Sequence, residues 1–188
     1  GKGKGESSNI FYKNEKLEVV ETNTFWLSDT PDTISKGWDA ACHRVCTYAL
    51  FREKDSDTLF WVFNTHLDHV GIEARVKAIA LILSKIDQLN TANYPVVLMG
   101  DFNLEPDDKS IIDLKKKMND ARELSVKSAF GPIGTFNNFE FDKPVTKRID
   151  YIFISKNAKL EVKKYAVLTD SKNLRYPSDH FPVYVEIK

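Results

Sequence analysis

The chain has 188 residues, of which 42% are hydrophobic and 12% aromatic, a composition that excludes disordered and low-complexity classes. Twenty-seven basic residues balance twenty-seven acidic ones, so the formal charge is zero. That balance weighs against holding long duplex nucleic acid mainly by phosphate neutralisation. No apolar run approaches the ~20 residues of a membrane span, and Gly1 to Ser8 lack the apolar stretch of a signal peptide. One domain is the expectation for this length.

In chain order, strand-like runs come first: Ile10 to Tyr12, Leu17 to Glu21, Ala41 to Phe51 and Thr58 to His66. The acidic stretch Glu53 to Asp57 reads as the loop between the last two, and a polar loop lies between Trp26 and Trp38. Ile72, Val76, Ile79, Ala80, Leu83, Ile86 and Leu89 recur at helical spacing, which predicts a helix from Ile72 to Leu89. Val96 to Met99 is a short apolar run typical of a strand buried on both faces, and Gly100 ends it. A second helix is expected over Lys109 to Met118, then strands at Ile149 to Ser155, Leu160 to Thr169 and Pro182 to Ile187. Strands outnumber helices, so helices packed on mixed sheets, α/β of the α+β type, are expected.

Cys42 and Cys46 fall in the run read as one strand. Four residues along a strand span ~13 Å at ~3.3 Å per residue, beyond the ~7 Å reach of a disulfide. Ordinary packing or free thiols is the reading for both.

Polar residues gather at four strand ends. Phe60 to Phe63 runs into Asn64-Thr65-His66-Leu67-Asp68-His69, and Val96 to Met99 into Gly100-Asp101-Phe102-Asn103. Arg148-Ile149-Asp150-Tyr151 opens another strand, and Ser178-Asp179-His180 precedes the last. Ligands of layered α/β proteins bind where strand ends converge. Asp and Asn oxygens suit a hard, hydrated cation such as Mg²⁺ or Mn²⁺. Two imidazoles suit proton transfer near neutral pH, and an Asp on a His fixes its tautomer. Together they point to attack of water on phosphorus. Plainer readings stand beside this one: Asp101 and Asn103 as a turn, Asp150 paired with Arg148 on one strand face, and Asp68 and His69 as surface loop.

These four segments, in order and spacing, resemble the signatures of the endonuclease/exonuclease/phosphatase superfamily, from about Glu6 to the C-terminus. The resemblance implies a four-layered, deoxyribonuclease I-like α/β sandwich and Mg²⁺-dependent (or Mn²⁺-dependent) hydrolysis of phosphate esters. It implies that Asp101 orients the attacking water, that Asn103 donates to the phosphate, and that His180 accepts the proton with Asp150 fixing its ring. Asp179 is implied as a metal ligand, and His66 as a phosphate or leaving-group contact. Glu6 is implied either to bind metal or to pair with His66. Arg44 matches a phosphate-contacting Arg, and Asn137, in Gly134-Thr135-Phe136-Asn137-Asn138-Phe139, lies in a substrate-lining loop.

One departure is marked. The family pattern opens with a strand bearing an Asn, then a strand and turn bearing a metal-binding Glu, and neither precedes Glu6. The resemblance therefore implies that residues 1–188 are the C-terminal two-thirds of such a domain, inactive alone. Two further readings are a nuclease acting on short or single-stranded nucleic acid, which the charge balance permits, and a non-catalytic module that keeps the fold to bind a partner.

Overall fold

The computed structural model describes residues 7–188, which group into two compact units, one ending at Asn103 and one running from Leu104 to Lys188. Glu6 lies outside the described residues.

The first unit holds four strands and one helix. β1 (Leu17–Trp26) pairs antiparallel with β2 (Val45–Glu53), and β2 with β3 (Leu59–His66). α1 (Ile72–Leu89) then carries the chain across to β4 (Val96–Asp101), which lies parallel to β3. A parallel neighbour needs such a crossover, because a tight turn can only reverse direction. The β3–β4 register sets His66 opposite Asp101 and Thr65 opposite Gly100. Val96 and Leu98 are buried on one face of β4, while Val97 and Met99 pack on the other against Ala49, Phe51 and Val62. That fits the two-sided burial expected of this run.

Several details depart from the sequence reading. Residues 10–12 form no strand, and Phe11 is 91% exposed. β2 begins at Val45 rather than Ala41, because the N–H of Cys42 bends away to donate to the Asp68 carboxylate (3.0 Å). Cys42 and Cys46 are therefore not on one strand, although both are free thiols as expected. The buried stripe of α1 is Ala74, Ala78, Ile79, Ile82 and Ile86, whereas Ile72 (71%) and Val76 (51%) are exposed. The periodicity was right and the face partly wrong: two alanines sit where the helix packs, and small side chains allow that approach.

The second unit has α2 (Lys109–Lys115), β5 (Met118–Asp120), α3 (Ala121–Leu124), β6 (Asp150–Ser155), β7 (Val162–Val167) and β8 (Val183–Ile187). α2 is shorter than expected because Met118 leaves the helix to pair with Ser155, making β5 antiparallel to β6. β7 and β8 form an antiparallel pair. Ile154, Val162, Tyr165, Val167 and Phe181 share a core with Ala121. Antiparallel and parallel pairings with flanking helices make this the α+β class that the strand and helix pattern implied. Among the described residues no helix is long and apolar enough to cross a membrane.

Among the described glycines of the first unit, Gly100 leaves the least room for a side chain. Its φ is +139°, and a Cβ there would lie 1.8 Å from the Thr65 carbonyl oxygen, within the β3–β4 ladder. Both the conformation and the close approach require glycine. Gly100→Ala should cost about 3 kcal/mol or more, within the range of severe single substitutions, and urea denaturation checks it.

Candidate active site

In the first unit, the β3–β4 register brings His66 Nε2 within 3.1 Å of Asp101 Oδ2. Asp101 Oδ1 accepts the backbone N–H of Asn103 (2.8 Å). Asn103 adopts φ +50°, a left-handed conformation that Asn tolerates better than most residues. Its side-chain amide donates to the Leu67 carbonyl (3.0 Å), tying the end of β4 to the end of β3. The turn reading of Asp101 and Asn103 thus describes the backbone correctly, and this turn also holds a carboxylate against an imidazole.

Just beyond β3 the chain builds a second cluster around Asp68, 2% exposed. Its Oδ1 accepts the N–H groups of Val70 (3.0 Å) and Gly71 (2.8 Å), and its Oδ2 accepts that of Cys42. Arg44, 5% exposed, lies with Nε 3.7 Å from Asp68 Oδ2 and Nη2 3.2 Å from His69 Nδ1. A guanidinium only donates, so His69 Nδ1 is the acceptor. Burial pushes the Asp68 carboxyl up, but the N–H groups of Gly71, Cys42, Ala41 and Val70 outweigh it and hold it well below the ordinary carboxylate range. Asp68 is thus buried rather than surface loop. The Arg44 guanidinium, expected to meet phosphate, is placed inside this cluster.

In the second unit, Asp150 opens β6 and His180 lies three residues before β8, with His180 Nδ1 2.8 Å from Asp150 Oδ2. The carboxylate can only accept, so in this hydrogen bond the proton resides on Nδ1. The rival partner, Arg148, is engaged elsewhere. Its Nη2 donates to Asp120 Oδ1 (2.7 Å) in a pair of 4% and 2% exposure, and its guanidinium stacks 4.5 Å from the Tyr151 ring centre. Asp120 also accepts the Arg122 N–H at the start of α3. Sequence reasoning did not single out Asp120, and a lone Asp twenty-eight residues from its Arg carries no local signal.

Asp179 is half-buried, and its backbone carbonyl accepts the Asn137 N–H (2.7 Å). Asn137, expected at the substrate, is 4% exposed. Its amide donates to the Ser178 carbonyl (3.0 Å), and its Oδ1 accepts the Phe139 N–H (2.8 Å). Phe136 packs edge-on against His180 with ring centres 5.1 Å apart.

The model of the Endonuclease/Exonuclease/phosphatase family matches residues 10–180. The chain belongs to this family. A mannosyl-6-phosphatase from Bacteroides thetaiotaomicron has a TM-score of 0.86 at 40% identity, over 94% of this chain and 69% of that one. A conserved protein of unknown function from Enterococcus faecalis gives 0.86 at 38% identity over the same shares, 94% and 69%. An uncharacterized protein of Acanthamoeba polyphaga mimivirus is 38% identical over 113 residues, which are 58% of this chain and 41% of the viral protein. The chain thus spans less than half the length of that curated relative. The catalytic domain of human Nocturnin shares the fold, with a TM-score of 0.67 at 22% identity over 93% of this chain and 61% of that one. The fold is the deoxyribonuclease I-like one that the four motifs implied.

Asp68→Ala should destabilise the protein by about 3–5 kcal/mol near neutral pH, since it removes the anion beside a buried guanidinium and the acceptor of three N–H groups. A carboxylate whose folded pKa is depressed contributes stability above its unfolded value of ~3.9 and loses it as pH falls toward the folded value. The difference from wild type should therefore narrow below pH ~4, which urea titrations across pH will show.

Proposed function

We propose that the protein is a metal-dependent hydrolase of phosphate esters, and that a sugar phosphate monoester is the first substrate class to test. The observation that carries this is the Asp150–His180 hydrogen bond of 2.8 Å, which fixes the orientation of the imidazole and keeps a proton on Nδ1, as an acid–base pair requires. The mannosyl-6-phosphatase likeness, at 40% identity, supports the substrate class. The zero net charge favours a small ester over long duplex nucleic acid.

In this reading His180 Nε2 takes a proton from the attacking water. Asp150 holds the ring through Nδ1 and stabilises it as a cation. Asp101, held by the Asn103 N–H, orients the water, and Asn103 contributes to phosphate binding. His66, fixed by Asp101 at 3.1 Å, supports the departing oxygen. The donor set of carboxylate and amide oxygens with imidazole suits Mg²⁺ or Mn²⁺, and Asp179 is the described residue proposed to hold the ion. When bound, such a cation supplies charge neutralisation at the phosphoryl oxygens.

In the complete protein, His180→Ala and Asp150→Asn should each lower kcat by ~10²–10⁴-fold with little change in KM, the usual contribution of a positioned acid or base. Steady-state kinetics on sugar phosphates decides; full kcat in His180→Ala would remove the assigned base. Chelation with EDTA should abolish turnover, and added Mg²⁺ or Mn²⁺ should restore it. Activity that survives exhaustive chelation would refute the metal requirement.

A further inference from the structure

The loop from Thr135 to Phe139 makes more contacts to the Asp150–His180 pair than its sequence suggests. Thr135 is fully buried, at 0% exposure, and its Oγ1 accepts the N–H groups of Ile149 and Asp150, both at 3.1 Å. These are the backbone groups that set where the Asp150 side chain begins. The carbonyl of the same residue accepts the Phe181 N–H at 2.7 Å, on the far side of His180. One threonine therefore holds the backbone at both members of the pair.

Asn137 holds the near side of His180. Its N–H donates to the Asp179 carbonyl (2.7 Å) and its side-chain amide to the Ser178 carbonyl. Between these two anchors the Phe136 ring meets the imidazole edge-on, and Phe136 and His180 face each other in an isolated antiparallel bridge. The Ser178 hydroxyl in turn accepts the His180 N–H (3.1 Å).

The backbone here is also strained. Asn138 and Phe139 have φ of +51° and +59°. Such values are tolerable for Asn, but for a bulky residue such as Phe they mark an outlier that persists only where its surroundings impose it. The restraint is visible: Asn137 Oδ1 accepts the Phe139 N–H at 2.8 Å. So the two ends of one amide do two jobs. The oxygen holds the loop in its strained turn, and the nitrogen fastens that turn to the chain carrying His180.

We propose that Thr135 and Asn137 are positioning residues for proton transfer, the loop acting as a brace that fixes the Asp150 backbone and the 178–181 backbone relative to each other. This rests on the hydrolytic reading above. A hydrogen-bonded acid–base pair works only while its geometry is held, and a displacement of ~1 Å can cost ~10²-fold in rate. The hydrogen bonds described for these two residues run to backbone atoms, so their effect on chemistry passes through the backbone.

Four variants of the full protein test this. Thr135→Val keeps the size and removes the acceptor, whereas Thr135→Ser keeps the acceptor. Asn137→Ala removes both contacts. Asn137→Ser retains a short acceptor for the Phe139 N–H but does not reach the Ser178 carbonyl, so it serves where Asn137→Ala fails to fold. Thr135→Val and the Asn137 variants should lower kcat by ~10–100-fold with KM within about twofold, and Thr135→Ser should restore most of the rate. The second readout needs no substrate. The His180 Nδ1–H proton resonance should be present in wild type and Thr135→Ser, and broadened or lost in Thr135→Val and the Asn137 variants. Folded variants with unchanged kcat and an unchanged Nδ1–H resonance would overturn the brace. If wild type turns over no phosphate ester, the hydrolytic reading fails, and the resonance alone still decides whether the loop positions the ring.

Discussion

A neutral imidazole carries its proton on either ring nitrogen, and a partner that holds it on one directs an incoming proton to the other. The hydrogen bond from His180 Nδ1 to Asp150 does this, at 2.8 Å, and the surrounding structure of the second unit serves to keep it. Arg148 lies two residues from Asp150 and would otherwise compete for its carboxylate. The fold removes that competitor by pairing it with buried Asp120 and stacking it on Tyr151. A basic group near the dyad is thus spent on architecture, and Asp150 remains available to histidine.

The first unit repeats the theme with carboxylates that hold backbone. Asp39 has no partner near it in sequence, yet its oxygens accept the N–H groups of Glu73 (3.2 Å) and Ala74 (2.7 Å) at the start of α1. Helix starts leave such donors unsatisfied, and Gly71 at the cap position has no side chain to meet them. Asp68 does the same for Val70, Gly71 and Cys42. Between them these two side chains fix the chain that leaves β3, and with it the strand end that bears His66.

The candidate site residues stood out in the sequence because they follow apolar runs, where polar residues have no packing reason to be. The Gly100-Asp101-Phe102-Asn103 turn, the Asp150 strand and the Ser178-Asp179-His180 approach were all visible in this way. Long-range partners were not. Nothing local links Asp39 to Ala74, or Asp120 to Arg148, and the burial of Arg44 and Asn137 is not written in residue type. The face of α1 was misread for a related reason: periodicity fixes the angle between apolar positions, but burial of Ala74 and Ala78 depends on what packs there. Met118 looked helical by continuity, and it became a strand because Ser155 offers it a ladder.

The proton arrangement at His180 is the point on which the account turns, and it can be read without assuming a substrate. Nitrogen-15 NMR of the imidazole distinguishes a protonated from an unprotonated ring nitrogen. In the neutral ring of wild type, Nδ1 should carry the proton and Nε2 should be bare, and Asp150→Ala should lose that preference. A wild-type ring protonated on Nε2, or a preference that survives Asp150→Ala unchanged, would contradict the account.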